Sequence, residues 1–224
     1  MARPKVAVLC SGEGTTAEAV IKTWANDAKA PMVNLVICNN PDAGIFKRLI
    51  GLNKDYELVI EATVINSQTH PGNAKKGEQT AAEEEAILNK ILAGNFNLVW
   101  LAGYMKKIGP KLVHQFGWRP EYKSIYLAMM LNTHPGLLPE TIGYMGVHVQ
   151  ELVLKNKLQA GHSLHVVSEK YDEGPIVTEH NVQIESNDTP ETLFERVKAS
   201  ERKNLPGDIA NFIKKRKQYL GGRR

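Results

Sequence analysis

The chain has 224 residues, of which 42% are hydrophobic and 23% charged, an ordinary globular composition that suffices for one sizeable core. Its formal net charge of +4 at pH 7 is compatible with an anionic small molecule as well as with nucleic acid. Two cysteines are too few for a zinc-binding cysteine framework, and the apolar runs are too short for a membrane span, so we expect one cytoplasmic domain over residues 1–224 with no membrane partner.

The first half of the chain predicts alternating strands and helices. Short Val-, Ile- and Leu-rich runs that end in turn residues are typical of strands buried on both faces, and they cover residues 5–10, 32–39, 56–65 and 97–103. Between the first two runs, apolar residues from Ala17 to Trp24 recur with helical spacing, and Thr15 or Thr16 is placed to cap that helix. Apolar spacing predicts further helices around residues 45–52, 83–92 and 110–116.

The second half predicts a mostly β region that ends in helices. The polar stretch GWRPEYKS reads as a loop, and it is followed by an apolar strand, a helix and a β pair, at residues 125–131, 147–154, 162–167 and 175–184. Thr189 and Pro190 predict the start of a helix to about Asn204, where Pro206 and Gly207 are expected to end it before a basic final helix. The expected fold is α/β, a Rossmann-like, mostly parallel sheet with helices on both faces and an antiparallel C-terminal strand pair.

A glycine loop, CSGEGTTA at residues 10–17, lies between the first strand and the first helix. Its backbone N–H groups and the helix dipole favour a phosphate or another anion. Gly12, Gly14 and Ala17 also fit the dinucleotide pattern, but that reading requires an acidic residue at the end of the second strand, where Asn39 stands. The loop therefore predicts a phosphate site rather than a nicotinamide site, with a tight turn that holds no ligand as the alternative.

The stretch LNTHPGLLPE, residues 131–140, places an amide beside an imidazole where an apolar strand meets two prolines. In an extended strand Asn132 and His134 project from one face while Thr133 turns away. An amide that stabilises an oxyanion, next to a base with an unperturbed pKa of about 6.5, is the equipment of acyl transfer. The alternative is that both side chains only satisfy hydrogen bonds of a turn.

Other chemistries lack their residues. There is no G-x-S-x-G motif, Ser11 belongs to the anion loop, and Cys10 has no evident base beside it. His162 and His165 would face opposite sides of a strand, so a metal site is not expected. A nucleic-acid-binding protein is the alternative from another class, because basic residues crowd the chain end around the lone aromatic Tyr219. These basic residues are Lys214, Lys215, Arg216, Lys217, Arg223 and Arg224.

The motif NTHPGLLP, with YDEGP at residues 171–175 and LAGYMKKI at 101–108, resembles the formyltransferases that use 10-formyltetrahydrofolate, above all those that act on phosphoribosylglycinamide. The resemblance runs in order along nearly the whole chain, from SGEGTT to VKASERKNLP. It implies formyl transfer from 10-formyltetrahydrofolate, as co-substrate, to the amine of 5-phosphoribosylglycinamide in purine biosynthesis. It further implies a monomer or homodimer that needs no metal and no nucleic acid. A sugar N-formyltransferase, or another folate-dependent formyltransferase, is the alternative within the superfamily.

The resemblance also implies roles for individual residues. Asn132 and His134 correspond to the catalytic pair, and Asp172 to the carboxylate that raises the pKa of the histidine and orders a water. The implied substrate contacts are Gly14, Thr15, Thr16, Lys198, Glu201 and His148, and a surface ion pair is the alternative for Lys198 and Glu201. The implied folate contacts are Met105, Lys106, Lys107, Ile108, Val167, Ser168, Glu169, Lys170 and Tyr171.

The chain departs from the family pattern at two places. Thr15 and Thr16 stand where the family usually has Ser-Asn, and Lys106 stands where arginine is common. An upstream arginine of the folate side has no clear counterpart, and Lys75 or Lys76 are the candidates to replace it.

Overall fold

A seven-stranded sheet organises the computed structural model, which describes residues 2–222. In chain order the strands are β1 (Lys5–Cys10), β2 (Met32–Cys38), β3 (Glu61–Val64), β4 (Leu98–Leu101), β5 (Met130–His134), β6 (Ala160–Val166) and β7 (Ile176–Val182). Their spatial order is β3-β2-β1-β4-β5-β6-β7, parallel through β5 and antiparallel for β6 and β7. The predicted fold class is confirmed. The order reverses between β1 and β4, the kind of crevice where such sheets bind ligands.

Helices cover both faces of this sheet. They are α1 (Thr15–Ala25), α2 (Ile45–Asp55), α3 (Ala81–Gly94), α4 (Pro110–Phe116), α5 (His148–Asn156) and α6 (Pro190–Gly221). Consecutive β1 residues serve opposite cores: Val8 packs in the cluster that contains Phe212 of α6, and Leu9 in the cluster that contains Ile87 of α3. Because both faces are buried, the strands read as continuous apolar runs rather than as alternating ones.

Two predicted strands are shorter or shifted. The run at residues 56–65 forms a strand only over β3, because α2 extends to Asp55 and a turn with a left-handed Glu57 follows it. The strand predicted at 125–131 is instead a 3₁₀ turn, Ile125–Leu127, followed by β5. Asn132, Thr133 and His134 therefore belong to the strand itself and take their direction from its pleat.

The start of α1 differs from the prediction as well. Neither Thr15 nor Thr16 caps the helix, because the N-cap residue is Gly14, with a left-handed φ of 70°. Glycine adopts this conformation without strain, and a Cβ at this position would collide with Ile45. The hydroxyl of Thr16 is thereby free to contact another helix.

The helix break predicted at Pro206 and Gly207 is wrong, since α6 continues through both residues to Gly221. Buried residues on both sides of the proline, such as Leu205 and Ile209, hold the helix against the core, and the Pro206 carbonyl accepts a hydrogen bond from Trp24 Nε1 at 3.0 Å. Tertiary packing thus outweighs the local cost of the proline.

The basic segment 214–217 lies on the last turns of α6, and Arg223 and Arg224 lie outside the described residues. Within this segment Arg216 is not free, because its Nε donates to the Ala128 carbonyl at 2.9 Å and burial lowers its pKa. Over residues 2–222, no helix has the length and apolar character that crossing a bilayer requires.

Candidate active site

The carboxyl end of β5 carries the two side chains that the sequence singles out. Asn132 and His134 project from the same face of the strand, as predicted, while Thr133 points to the other face and accepts a hydrogen bond from Trp100 Nε1 at 2.9 Å. On the antiparallel neighbour β6, the register partner of Asn132 is His165. This register brings to the site an imidazole that the sequence analysis had set aside.

Asp172 completes the cluster from the turn between β6 and β7. It has a left-handed φ of 55°, which Asp tolerates better than most residues, and its side chain is buried. Its Oδ1 accepts from Asn132 Nδ2 at 3.3 Å, and its Oδ2 lies 3.4 Å from His134 Nδ1. The structure thus brings together Asn132, His134 and Asp172, three residues 40 positions or fewer apart.

Both hydrogens of the Asn132 amide are engaged within the protein. One points to Asp172, and the other is donated to His165 Nε2 at 3.0 Å. Because His165 Nε2 accepts, its Nδ1 carries the proton and donates to the Val166 carbonyl at 3.1 Å. A substrate oxygen at this position must therefore replace one of the two partners of Asn132, of which Asp172 is the more distant.

Burial controls the electrostatics of the cluster. Desolvation lowers the pKa of His134, whose exposed fraction is 3%, and the negative charge of Asp172 raises it only partly. Asp172 thus raises the pKa of His134, as the resemblance implies, but burial outweighs this effect and the net shift is downward. Among the described residues, Asp172 Oδ2 has no hydrogen-bond partner, so this oxygen is available to a proton on His134 or to a ligand.

A cavity of about 200 Å³ lies against these three residues and extends to α1 and α6. On its far side Glu201, which is 2% exposed, accepts from Thr16 Oγ1 at 3.2 Å and from Lys198 Nζ at 2.7 Å. This contact is not a surface ion pair, because the carboxylate is buried and also holds a residue of the glycine loop. The cavity therefore combines the catalytic candidates with Thr16, Lys198 and Glu201.

Other residues predicted on the substrate side lie apart from the cavity wall. Gly14 and Thr15 immediately precede Thr16 in the glycine loop but do not line the cavity. His148 begins α5, where its ring is exposed and lies 2.9 Å from Glu151 Oε2, and it does not line the cavity either.

A narrower cavity of about 40 Å³ adjoins the first and shares Tyr104, Asn132, Tyr171 and Asp172 with it. Its lining includes eight of the predicted folate contacts, namely Lys106, Lys107, Ile108, Val167, Ser168, Glu169, Lys170 and Tyr171, while Met105 lines the first cavity. Ligand sites commonly enclose roughly 300–1,000 Å³. The narrower cavity lies well below this range, and the turn that forms one of its walls carries exposed side chains at Glu169, Lys170 and Tyr171.

The start of α3 holds the loop at residues 104–112, which lies between the two cavities. The buried Glu83 carboxylate caps the helix by accepting from the Thr80 backbone N–H and also pairs with Lys106 Nζ. Next to it, Glu84 Oε1 accepts from the backbone N–H groups of Lys111 and Leu112. The charge of Lys106 is thus neutralised by Glu83. The acidic residues at the helix start hold the loop in place, a structural role that the sequence did not predict.

The lysines proposed to replace the upstream arginine lie near the same loop. Lys75 and Lys76 are exposed, and the neighbouring Gly77 carbonyl accepts from the Lys107 backbone N–H at 2.7 Å. Over residues 2–222, no three His, Cys, Asp or Glu side chains are grouped so that they could hold a metal ion.

Comparison with known proteins finds similar sequences and structures over nearly the whole chain. The pattern that defines the formyl transferase family matches residues 4–209. A phosphoribosylglycinamide formyltransferase of Bacillus subtilis is 27% identical over 210 residues, which are 93% of this chain and 94% of that protein. The trifunctional purine biosynthetic protein adenosine-3 of Gallus gallus is 31% identical over 92% of this chain, which spans only 18% of that protein. The crystal structure of phosphoribosylglycinamide formyltransferase from Bacillus halodurans superposes with a TM-score of 0.74 and 30% identity, covering 93% of this chain and 95% of that one.

Proposed function

The chain belongs to the formyl transferase family, and from this premise we propose that it transfers the formyl group of 10-formyltetrahydrofolate to the amine of 5-phosphoribosylglycinamide, in purine biosynthesis. One observation carries the proposal: a single cavity joins Asn132, His134 and Asp172 to the Thr16–Lys198–Glu201 contact. The similarity to phosphoribosylglycinamide formyltransferases supports this acceptor over an amino sugar. The continuous sheet, with strands from Lys5 to Val182, supports a single formyltransferase domain.

The chemistry follows from the three residues at the end of β5. When the amine adds to the formyl carbon, negative charge develops on the formyl oxygen, and the Asn132 amide donates to that oxygen in place of its bond to Asp172. Protonated His134 adds positive charge beside the same oxygen, and Asp172 stabilises that charge. The amine then loses a proton, and the departing folate nitrogen gains one through this cluster.

The glycine loop is proposed to hold the phosphate of the acceptor. Gly14 offers no side-chain cap, so the first-turn N–H groups of α1, around Thr15 and Thr16, are free to donate to an anion at the positive end of the helix dipole. Lys198 and Glu201 lie beyond Thr16, where they are proposed to contact the rest of the ribotide. His148 is proposed only as a peripheral contact, since it lies outside the cavity.

The narrower cavity is proposed to take the folate. Ile108, Val167 and Tyr171 supply apolar surface for a ring, and the backbone of the turn at residues 168–172 supplies polar groups. Since Lys106 is paired with Glu83, we propose that Lys107, with Lys75 or Lys76, supplies the free positive charge for the carboxylates of the co-substrate, and that Lys170, which pairs with the exposed Glu173, adds to it.

The choice of acceptor is tested by competition. We expect the enzyme, supplied with 10-formyltetrahydrofolate, to formylate phosphoribosylglycinamide with a kcat/KM at least about a hundredfold above that for a nucleotide-linked amino sugar, a difference of about 3 kcal/mol. We also expect Glu201→Gln to raise the KM for phosphoribosylglycinamide more than that for the folate. A preference for the amino sugar would replace the proposed acceptor with the sugar alternative.

A further inference from the structure

Thr141 contacts His134 from the turn that follows β5. The residue is fully buried, and its Oγ1 lies 2.9 Å from His134 Nε2 and 2.7 Å from the carbonyl oxygen of Leu137. A hydroxyl has one hydrogen, and a carbonyl oxygen only accepts. The hydrogen of Thr141 is therefore committed to Leu137, so that toward His134 the hydroxyl oxygen accepts and Nε2 carries the proton.

The local sequence makes room for this contact. A Cβ at Gly136 would collide with Thr141 Oγ1 and would also lie 2.6 Å from a methyl group of Val149. Only a residue without a side chain at position 136 lets the Thr141 hydroxyl lie this close to the imidazole. Gly136 and Thr141 thus act as a pair on the same turn.

The fixed proton at Nε2 determines what Nδ1 does. In neutral His134 the lone pair is then on Nδ1, which faces Asp172 Oδ2 at 3.4 Å, the buried oxygen without a hydrogen-bond partner among residues 2–222. A proton added to the ring goes to Nδ1, between the ring and that carboxylate. Among the described residues, the other ionisable groups that line the cavity beside His134 are Lys198, Glu201 and the tyrosines Tyr104, Tyr144 and Tyr171, and the charge of His165 of β6 also acts on His134.

We propose that Thr141 is a positioning residue that holds the Nε2 proton of His134, so that Nδ1 is the nitrogen that gains and loses a proton in the reaction. The part of this statement that concerns the reaction rests on the proposed formyl transfer, whereas the assignment of the ring proton does not. Thr141 is fully buried and does not line the cavity, so it acts through the imidazole.

The ring proton is read directly by NMR of the full chain labelled with 15N-histidine. The protein contains seven histidines, and the signals of His134 are those missing from the His134→Ala variant. At about pH 8, where an ordinary histidine is neutral, we expect Nε2 of the wild type to be protonated and Nδ1 to be unprotonated. The reverse pattern in the wild type would overturn the proposal without the need for any Thr141 variant.

Substitutions test whether Thr141 is the cause. Thr141→Val keeps the shape but removes the acceptor, so we expect the proton to move to Nδ1, where Asp172 accepts it. Thr141→Ser keeps the oxygen and should restore the wild-type pattern. Thr133→Val is the matched control, because it also removes a buried hydroxyl from the same segment but one that contacts Trp100. An unchanged His134 pattern in Thr141→Val would refute the role of Thr141.

Kinetics provide a second reading. We expect Thr141→Val to lower kcat by about tenfold to a hundredfold, within the range of general acid–base contributions, with a smaller change in KM for either substrate. The limb of the pH profile that reports His134 should move to lower pH, because the lost acceptor favoured the protonated ring. An unmoved limb in a folded Thr141→Val would count against the proposal. If the wild type showed no formyl transfer, the proposed function would fail while the NMR test of the proton still stood.

Discussion

Asp172 lies at the centre of the candidate active site, where three side chains surround one carboxylate. Its Oδ1 accepts a hydrogen bond from Asn132 and lies 3.5 Å from His165 Nε2, and its Oδ2 faces His134. Burial lowers the pKa of His134, and the negative charge of Asp172 opposes that shift. The residue thus links the proposed oxyanion donor, Asn132, to the proposed proton carrier, His134.

Removing this charge should shift the titration of His134. We expect Asp172→Asn to lower the pKa of His134 further, so that the corresponding limb of kcat/KM moves to lower pH, and to reduce kcat by about a hundredfold. An NMR titration of His134 measures the shift. Glu173→Gln is the control, because it removes a neighbouring negative charge that is exposed. The Glu173 Oε2 atom lies 3.3 Å from Lys170 Nζ. A shift of equal size in both variants would mean that Asp172 has no special role.

At the residue scale, sequence reasoning finds the side chains whose direction depends on local geometry alone. Strand alternation places Asn132 and His134 on one face, and the structure agrees. It does not find His165 or Thr141. The first requires the antiparallel register of β5 and β6, and the second requires the path of the turn after Pro139, and neither is encoded in the spacing of residues.

At the scale of elements, the start of α3 positions the loop at residues 104–112. Gln79 reinforces the carboxylates of Glu83 and Glu84, because its side chain accepts from the Gly109 N–H at 2.8 Å and donates to the Tyr104 hydroxyl at 3.0 Å. Acidic residues at a helix start are favourable to the helix dipole wherever they lie, but here Glu83 and Glu84 are also buried. The same acidic pattern is found at a helix start that faces solvent and at one that anchors a loop, so the sequence alone does not distinguish the two.

The pairing of Glu83 with Lys106 should contribute strongly to stability. Glu83 is fully buried and Lys106 largely so, hence Glu83→Gln leaves a buried ammonium without its partner and should cost about 3 kcal/mol of the free energy of unfolding. Glu85→Gln, on the same helix, breaks an exposed contact with Lys111 and should have a much smaller effect on the free energy of unfolding. Urea unfolding measures both changes. Equal costs would show that burial of the pair is immaterial.

Two glycines at helices should respond in opposite ways to alanine. Gly207 lies inside α6, where a Cβ meets no other atom within 4 Å, so Gly207→Ala should stabilise the protein by about 0.5–1 kcal/mol. Gly14 has a positive φ and a Cβ there would collide with Ile45, so Gly14→Ala should destabilise it. Thermal unfolding distinguishes the two variants. If Gly207→Ala destabilised the protein, the backbone of α6 at Gly207 would have to be strained in addition to the distortion caused by Pro206.

For the whole molecule, fold class was predictable because each strand and most helices leave a local pattern. The continuous run of α6 through Pro206 was not, since its stability comes from contacts with distant residues such as Trp24. The full site was not predictable either, because it joins residues of α1, β5 and α6 with the turn after β6. The sequence motifs predicted the chemistry. That two cavities meet at Asn132 and Asp172 could be seen only in the folded structure.

Acid stability of the whole chain should depend on a histidine outside the site. His162 is fully buried and stacks on His180, and burial, reinforced by nearby positive charge, lowers its pKa to about 4. The unfolded chain binds this proton from about pH 6.5 downward, so between about pH 6.5 and 4 the free energy of unfolding should fall by about 3 kcal/mol from this group.

The contribution of His162 is isolated by comparison of variants. In His162→Gln we expect the decline of stability over this pH interval to be smaller than in the wild type, as measured by urea unfolding at each pH. His148→Gln removes an exposed imidazole and should keep the wild-type slope. Parallel slopes for wild type and His162→Gln would contradict the assignment.

The proposed function is tested most directly by formyl transfer itself. Wild type and His134→Ala are incubated with 10-formyltetrahydrofolate and phosphoribosylglycinamide, and the formylated product is measured over time. We predict product from the wild type and a rate lower by about a hundredfold or more from His134→Ala, because the ring that carries the proton is gone. Product from neither protein would contradict the proposed reaction, and equal rates from both would contradict the role of His134 in it.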